Sequence, residues 1–540
     1  MPAAGRAAIL PGVSKSLKNI SIVATATVAS RVLGLVREIF TAAVFGTGAL
    51  ASAFVTAFTL PNLFRRLLGE GALTAAFVPT LTEELQQSQR AGAFLLVSQV
   101  ASWLLVVTVS LVVLAMLLLA QAGWLLPLLG ERLAVGTLDR LVLGAQLAAI
   151  LFPYMVFVCL AAAFSAACQV LGRFTEPALS PVWLNLSILA ALGFGAWWAW
   201  DQPQRMHLLC AGVLVGGFLQ MAVPAAVLWR EGWRPGFDLR MNDRVRAIVR
   251  LMGPMVIGSA IYLVNMAISR FLGLSLNEQA ATIINLATRV MELPIGIFTA
   301  AVATVVFPLI ARHAAEGRWE RLGEDYHKGL RLVLVLNVPA AAGLAVLSEP
   351  ITRLLFQRGA FGAGDTALMT PVLAVYALGL PLLSYVTVAL RGFYAVRDTA
   401  TPVRAAAWSF VVNLGLSLLL MRWFSTVGLA AAGTIAVAVQ AWYLQTRLQR
   451  RLPALGFGPL LSNLGKIGLA GALMGAAVWA GWRFLGGLTI NERTADLLAV
   501  AGLVPLGAAF YAGLLWVLKI EGRAELELIL QKIRGRAGGR

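Results

Sequence analysis

Three short stretches carry charge where charge is expensive. In SRVLGLVREIF (30–40), Arg31, Arg37 and Glu38 are the only charged residues of a run from Ile20 to Leu60 that is otherwise small, apolar or neutral. TLPNLFRRLLGEGALT (59–74) brings Asn62, Arg65, Arg66 and Glu70 together, and TIINLATRVMELPIGIFTA (282–300) holds Asn285, Arg289 and Glu292. Wound at 100° per residue, Thr27, Ser30, Arg31, Gly34, Arg37, Glu38 and Thr41 fall within an arc of about 120°, and Val28, Val32, Leu33, Leu35, Val36, Ile39 and Phe40 take the other side. The same winding puts Thr282, Asn285, Arg289, Glu292, Gly296 and Thr299 on one face. Such a stripe is expected to face a cavity or another helix rather than lipid.

An arginine at bilayer depth costs about 2.5–3.5 kcal/mol on insertion scales. Five arginines against Glu38, Glu70 and Glu292, with Arg270 adding one more cation, are costly to keep without a use. Guanidinium forks facing a water-filled cavity suit an anion with several oxygens, and phosphate matches their geometry. The acids would orient the arginines and limit the net charge; Arg289 and Glu292, one turn apart, are the clearest pair. For Arg66 and Arg270, a buried ion pair or a side chain snorkelling to the interface is the preferred reading.

The elements that must position these residues are membrane helices. The chain has 540 residues, 59% hydrophobic and 13% charged, with a mean hydropathy of +0.81. A soluble protein this apolar could not cover its surface, so an all-α polytopic membrane protein is expected. Fourteen apolar spans are predicted between residues 18 and 518, with an uncleaved first helix. The net charge of +18 is no nucleic-acid signal. Lys and Arg concentrate in alternate loops, which places both termini in the cytoplasm. The densest basic loop, WREGWRPGFDLRMNDRVRAIVR (229–250), is expected to lie against anionic headgroups. His207, His313 and His327 sit at span ends or in loops, Cys159, Cys168 and Cys210 lack metal or disulfide spacing, and there is no Walker A motif. No catalytic residue, metal or cofactor is expected, and with short loops neither is an enzyme.

The two halves echo each other. Pro61, Pro79, Pro153, Asn185 and Gln220 match Pro294, Pro308, Pro381, Asn413 and Gln440 in order, and LGRFTEP (171–177) matches FYAVRDTATP (393–402). A repeat of six spans gives two parallel six-helix lobes, 1–245 and 246–452, with spans 13 and 14 and a cytoplasmic tail in 453–540. Pro254, in LMGPMVIGS with Gly253 and Gly258, is the best hinge candidate.

SRVLGLVREIF, AFTLPNLFRRLLGEGALTAAFVPTLTEE, RVMELPIGIFTAAVATVVFPLIARH and GFYAVRDTATPV together resemble the MurJ/MviN family of bacterial lipid II flippases, within the multidrug/oligosaccharidyl-lipid/polysaccharide exporter superfamily. The resemblance runs over nearly the whole chain. It implies a central cationic cavity between the lobes and a lipid-facing groove formed by the last helix pair. It implies as substrate lipid II, an undecaprenyl pyrophosphate bearing the disaccharide-pentapeptide, moved from the inner to the outer leaflet of the bacterial cytoplasmic (inner) membrane. The family's cavity arginines fall on Arg31, Arg37, Arg65 and Arg289, and its acidic partners on Glu70 and Glu292. The chain departs from the family at Ser52, where members often have Asp, and at Thr59, where they often have Lys.

The expected mechanism is alternating access, with the four arginines holding the pyrophosphate and the membrane potential driving export of the anion. The partners expected are lipid II and membrane lipids, with a coupling monovalent ion left open; nucleic acid is not expected, and the chain should act as a monomer. The competing readings are an exporter of another polyprenyl-linked oligosaccharide, a drug or ion antiporter, and a non-transporting scaffold for cell-wall enzymes.

Overall fold

The computed structural model describes residues 11–64, 73–125, 136–198, 200–452, 455–456, 458–488 and 491–519. Every regular element among them is helical. The first half contains α1 (Pro11–Phe45), α2 (Ala49–Phe64), α3 (Leu73–Ala120), α4 (Ala122–Leu125), α5 (Thr137–Leu151), α6 (Tyr154–Val170), α7 (Thr175–Trp197), α8 (Gln202–Arg230) and α9 (Asp243–Leu276). The second contains α10 (Ala280–Pro294), α11 (Ala300–Ala315), α12 (Trp319–Val346), α13 (Ser348–Phe356), α14 (Ala363–Ala395), α15 (Ala400–Arg451), α16 (Gly458–Gly486), α17 (Glu492–Leu498) and α18 (Val504–Val517). Helix is what apolar runs must adopt in lipid, because every backbone N–H and C=O has to find its partner within the segment. Asp201 and Asn242 start α8 and α9 by accepting from the backbone N–H of Gln204 and Val245, both at 2.9 Å.

Among the described residues, nine helices are long and apolar enough to cross a membrane, and α5 with α6, bent by 43° on either side of Phe152–Pro153, makes a tenth. The protein is therefore a multi-pass membrane protein. α2 and the segment Leu263–Leu276 are shorter apolar helices. Within the predicted span 53–82, α2 covers the described residues up to Phe64 and α3 those from Leu73, and 65–72 lie outside the described residues. Where the sequence suggests loops around 82–94 and 421–427, the chain turns on one residue: Gln89 (φ 55°) within α3 and Ser425 (φ 50°) within α15. A left-handed conformation is uncommon for residues with a side chain. Each is followed three residues later by a glycine; a Cβ on Gly428 would lie 2.3 Å from Leu420 O.

Contacts divide the chain into two compact units, Met1–Ala281 and Thr282–Arg540. In the first, α6 packs against α3 and α8, α7 against α8 and α1, and α9 against α2, α3 and α5. Gly212 and Gly216, four apart on α8, let α7 approach closely: a Cβ on Gly216 would lie 2.9 Å from Leu184 Cα. In the second, α14 packs against α12 and α15, and α16 lies against α12 and α18. Gly471 and Gly475 of α16 face Val338, Ala342 and Val346 of α12 through the same spacing of small residues. The cysteines Cys159, Cys168 and Cys210 are free and buried, as packing residues would be.

The backbone repeats locally as well. Leu171, Gly172 and Arg173 donate to the carbonyls of Ala167, Gln169 and Cys168; Val396, Arg397 and Asp398 donate to those of Gly392, Tyr394 and Phe393. Each atom pair in this corner recurs 225 positions on (173 to 398), with Gly172 at φ 77° and Arg397 at φ 58°. Gln220 accepts from Tyr154 OH (3.2 Å), and in the second half Gln445, rather than the sequence-matched Gln440, accepts from Tyr385 OH.

Candidate functional site

On α1 both sides carry exposed residues, Thr27 and Arg31 on the polar stripe among them, while Leu33, Leu35, Val36 and Ile39 are half-buried. Val28, Val32 and Phe40 are exposed on the outer surface. The polar stripe meets α7: a Cβ on Gly34 would lie 3.8 Å from Asn185 Nδ2, and Asn185 Nδ2 donates to Ser30 O (3.3 Å). Glycine at 34 leaves room for this asparagine to reach the α1 backbone.

Arg37 is the best-defined cation of the stripe. Its Nη1 donates to Asn185 Oδ1 (3.1 Å) and its Nη2 to Glu38 Oε1, while Thr41 Oγ1 donates to Arg37 O (2.8 Å). The side chains of Arg37 and Glu38 are only 12% and 9% exposed. A buried guanidinium needs both charge balance and filled donors; Glu38 supplies the first and Asn185 part of the second. Arg31, near two turns earlier on the same stripe, is exposed and has no hydrogen-bond or ion-pair partner among the described residues. The two arginines thus differ: one is paired and largely buried, the other exposed.

Asn62 is half-buried in the last turn of α2. Arg65, Arg66 and Glu70 lie outside the described residues. Ser52 and Thr59, where the sequence departs from the family pattern, donate to carbonyls of nearby residues, Ser52 Oγ to Thr47 O (3.4 Å) and Thr59 Oγ1 to Val55 O (2.7 Å). Both hydroxyls are therefore served by the local backbone.

In the second unit, Arg289 Nη1 donates to Glu292 Oε2 at 3.1 Å, with the side chains 33% and 41% exposed. The pairing expected from their spacing is present, and both side chains are partly exposed. Asn285, on the same face one turn earlier, is half-buried. α10 ends at Pro294 and passes into a π-helical turn, Ile295–Thr299. Such turns are rare, and a proline that removes a backbone donor favours them. Arg270 is buried and donates from Nη1 to Ala281 O (3.3 Å), so it is not a snorkelling side chain. α9 runs unbroken through 253–258; the side chains of Pro254 and Gly258 lie outside the described residues, and Gly253 has nothing within 4 Å of an added Cβ.

A buried polar cluster escapes the sequence reading. Thr299 Oγ1 donates to Ser384 Oγ (3.0 Å), and Asn337 Nδ2 donates to Thr299 Oγ1 (3.0 Å) and Val333 O (2.9 Å). All three side chains are fully buried, and they tie the π-helical turn to α12 and α14. The available signal was Asn337 itself, a lone asparagine two residues before Pro339 in an apolar span. Among the described residues no group of His, Cys, Asp and Glu could hold a metal ion.

Comparisons with known proteins bear on this arrangement. A family model described as "Lipid II flippase MurJ" matches residues 41–489. A "Probable lipid II flippase MurJ" of Rhizobium meliloti (strain 1021) is 32% identical over 527 residues, 96% of each chain. One of Vibrio cholerae is 32% identical over 528 residues, 93% of this chain and 96% of its own. The "Lipid II flippase MurJ" of Burkholderia cenocepacia is 29% identical, covering 91% of this chain and 95% of its own. Among solved structures, a lipid II flippase MurJ in an inward closed conformation shares the fold with a TM-score of 0.74 at 22% identity, over 94% of this chain and 99% of that one. An inward-facing multidrug resistance MATE family transporter of the MOP superfamily follows at 0.64 and 15%, over 79% of this chain and 95% of that one.

Proposed function

This chain belongs to the lipid II flippase MurJ family, and on that premise we propose that it carries lipid II from the inner to the outer leaflet of a bacterial cytoplasmic membrane. The observation that supports the reading best is Arg37. It is a largely buried arginine held by Asn185 and Glu38, on the same helix face as the exposed Arg31. Arg31, Arg37, Arg65 and Arg289 bind the pyrophosphate, which demands several donors in fixed geometry. Glu38, Glu70 and Glu292 hold those arginines in place and keep the cavity from trapping its anion. Asn62, Asn285 and Arg66 complete the polar lining.

The working cycle is alternating access of two lobes, 1–245 and 246–452, with flexing at Gly253–Gly258 and the polyprenyl tail lying in lipid along spans 13 and 14. Both termini are cytoplasmic, following the distribution of Lys and Arg. Moving one elementary charge across 100 mV is worth about 2.3 kcal/mol. With the cytoplasm negative, the potential favours outward movement of an anionic headgroup and can drive the cycle in a monomer without ATP. A monovalent ion could be coupled to the return step.

The test is complementation of cells depleted of their own flippase, with lipid II exposure at the outer face as the readout. Arg37→Ala, Arg65→Ala and Arg289→Ala are expected to abolish exposure while the protein still inserts. Arg→Lys should restore less than charge counting suggests, because the bidentate fork is lost. Wild-type exposure with any alanine variant removes that residue from the anion clamp, and no exposure even with the unsubstituted chain favours the scaffold reading.

A further inference from the structure

The end of the seventh span is held by a buried arginine that no described carboxylate balances. Arg140, in the first turn of α5, is 9% exposed. Its Nε donates to Leu274 O (3.0 Å), and its Nη2 to Ser275 O (3.2 Å) and Thr137 Oγ1 (3.0 Å). The Thr137 hydroxyl in turn donates to Ser275 O (3.2 Å). Leu274 and Ser275 belong to the last turn of α9, whose final carbonyls lack partners within the helix and carry the negative end of its dipole. Arg140 is thus a cap supplied from another helix, and it forms no ion pair with a described carboxylate.

Position gives this contact a meaning. The chain crosses the membrane four times from the start of α5 to the end of α9, so both must lie at one face, as their hydrogen bonds require. With the N-terminus cytoplasmic, that face is the outer one. At the opposite end of α9, Arg244 pairs with Glu83 (2.9 Å) and Glu84 (3.1 Å) of α3. The seventh span is therefore clamped within the first unit at both ends, through its own carbonyls to α5 and through Arg244 to the carboxylates of α3. The repeat assigns this span to the second half, so it is the element that must part from its neighbours when a lobe moves.

We propose that Arg140 is the outward latch of the transport cycle: it holds α9 against α5 while the outer side is closed and releases the last carbonyls of α9 when that side opens. This rests on the flippase reading above. Carbonyl partners suit a latch. Each charge-assisted bond is individually modest, and water entering an outward-open cavity replaces it, whereas parting a buried ion pair would strand two charges.

The experiment uses the full-length chain with Cys159, Cys168 and Cys210 replaced by Ala. The pair Thr137→Cys with Ser275→Cys is expected to cross-link on oxidation, to lose lipid II transport when oxidised and to regain it on reduction. In a chain carrying Ser275→Cys alone, Arg140→Gln should raise labelling by a membrane-impermeant maleimide from outside on the order of tenfold, the equivalent of one lost charge-assisted bond. Arg244→Gln should leave that outside labelling unchanged. The latch is overturned if the pair fails to cross-link, if the oxidised pair transports as the reduced one does, or if both glutamine variants raise labelling equally, which is general loosening. A wild-type chain that moves no lipid II removes the flippase reading instead, and the labelling contrast then decides the latch by itself.

Discussion

Asn185→Leu separates the positioning of Arg37 from its presence. Leucine fills much of the space of asparagine, so α1 and α7 keep their spacing at Gly34, but it can neither accept from Arg37 Nη1 nor donate to Ser30 O. The Arg37 and Glu38 side chains are 12% and 9% exposed, so water has little room to replace the lost partner. A hydrogen bond to a charged group is worth about 1.5–3 kcal/mol, roughly a ten- to hundredfold change in an equilibrium. The variant should insert at wild-type abundance and lose lipid II exposure by on the order of tenfold or more. Arg37→Ala should lose more. The double variant should equal Arg37→Ala alone, because both act through one guanidinium. Exposure is measured at the outer face of flippase-depleted cells, with the amount of protein in the membrane fraction as the control. Wild-type exposure with Asn185→Leu, or a double variant that is additive, would refute the claim that Asn185 positions Arg37.

Gly428→Ala should destabilise the hairpin at Ser425 by about 1–3 kcal/mol, an overpacking cost, because its Cβ would meet the Leu420 carbonyl; thermal unfolding in detergent checks it. Tyr154→Phe and Tyr385→Phe each strip a buried glutamine carbonyl of its donor. Each should lower stability by about 1–3 kcal/mol in the same assay, and unequal losses would separate the two halves. Asp398 is partly desolvated, but hydrogen bonds from the Thr401 amide and hydroxyl, with Arg451 nearby, hold its carboxyl below the usual range. Its stabilising contribution is present at neutral pH and lost as pH falls through that lowered value, so Asp398→Asn should flatten the acid limb of the stability profile.

Periodicity and charge made much of this molecule legible. The α1 stripe could be read from a 100° winding because one side of a membrane helix must be apolar, and the Arg289–Glu292 pair from its spacing. The corners at 172 and 397 could be read from LGRFTEP and FYAVRDTATP, since a helix end followed by a proline-bearing helix start leaves few backbone solutions. What stayed hidden depends on which neighbour a side chain meets. Asn185 was visible only as a repeat marker, and nothing local to it names Arg37 as its partner. Nothing near Arg140 in the sequence names the end of α9 as its partner. The turns at Gln89 and Ser425 were hidden because neither residue is the glycine or asparagine that usually adopts a left-handed conformation. The glycines that make these turns affordable come three residues later.

The repeated corner shows how far the halves have diverged. In the first, Arg173 pairs with Glu231 at the end of α8 (2.8 Å); 225 positions on, Asp398 pairs with Arg451 at the end of α15. The backbone hydrogen bonds match atom for atom, yet the charges are exchanged. An ion pair at such a corner contributes the same with either sign, so packing preserves the pair and leaves its polarity free to drift. Intramembrane charges lack that freedom when they bind an anion, because reversing one would repel the ligand. α1 and α10 each carry an arginine with an acid close by, but they are not counterparts in the repeat, which sets Pro61 of α2 against Pro294 of α10. On the reading proposed above, Arg37 and Arg289 are charges held for a ligand, and reversing either should cost transport in a way that exchanging Arg173 with Glu231 should not.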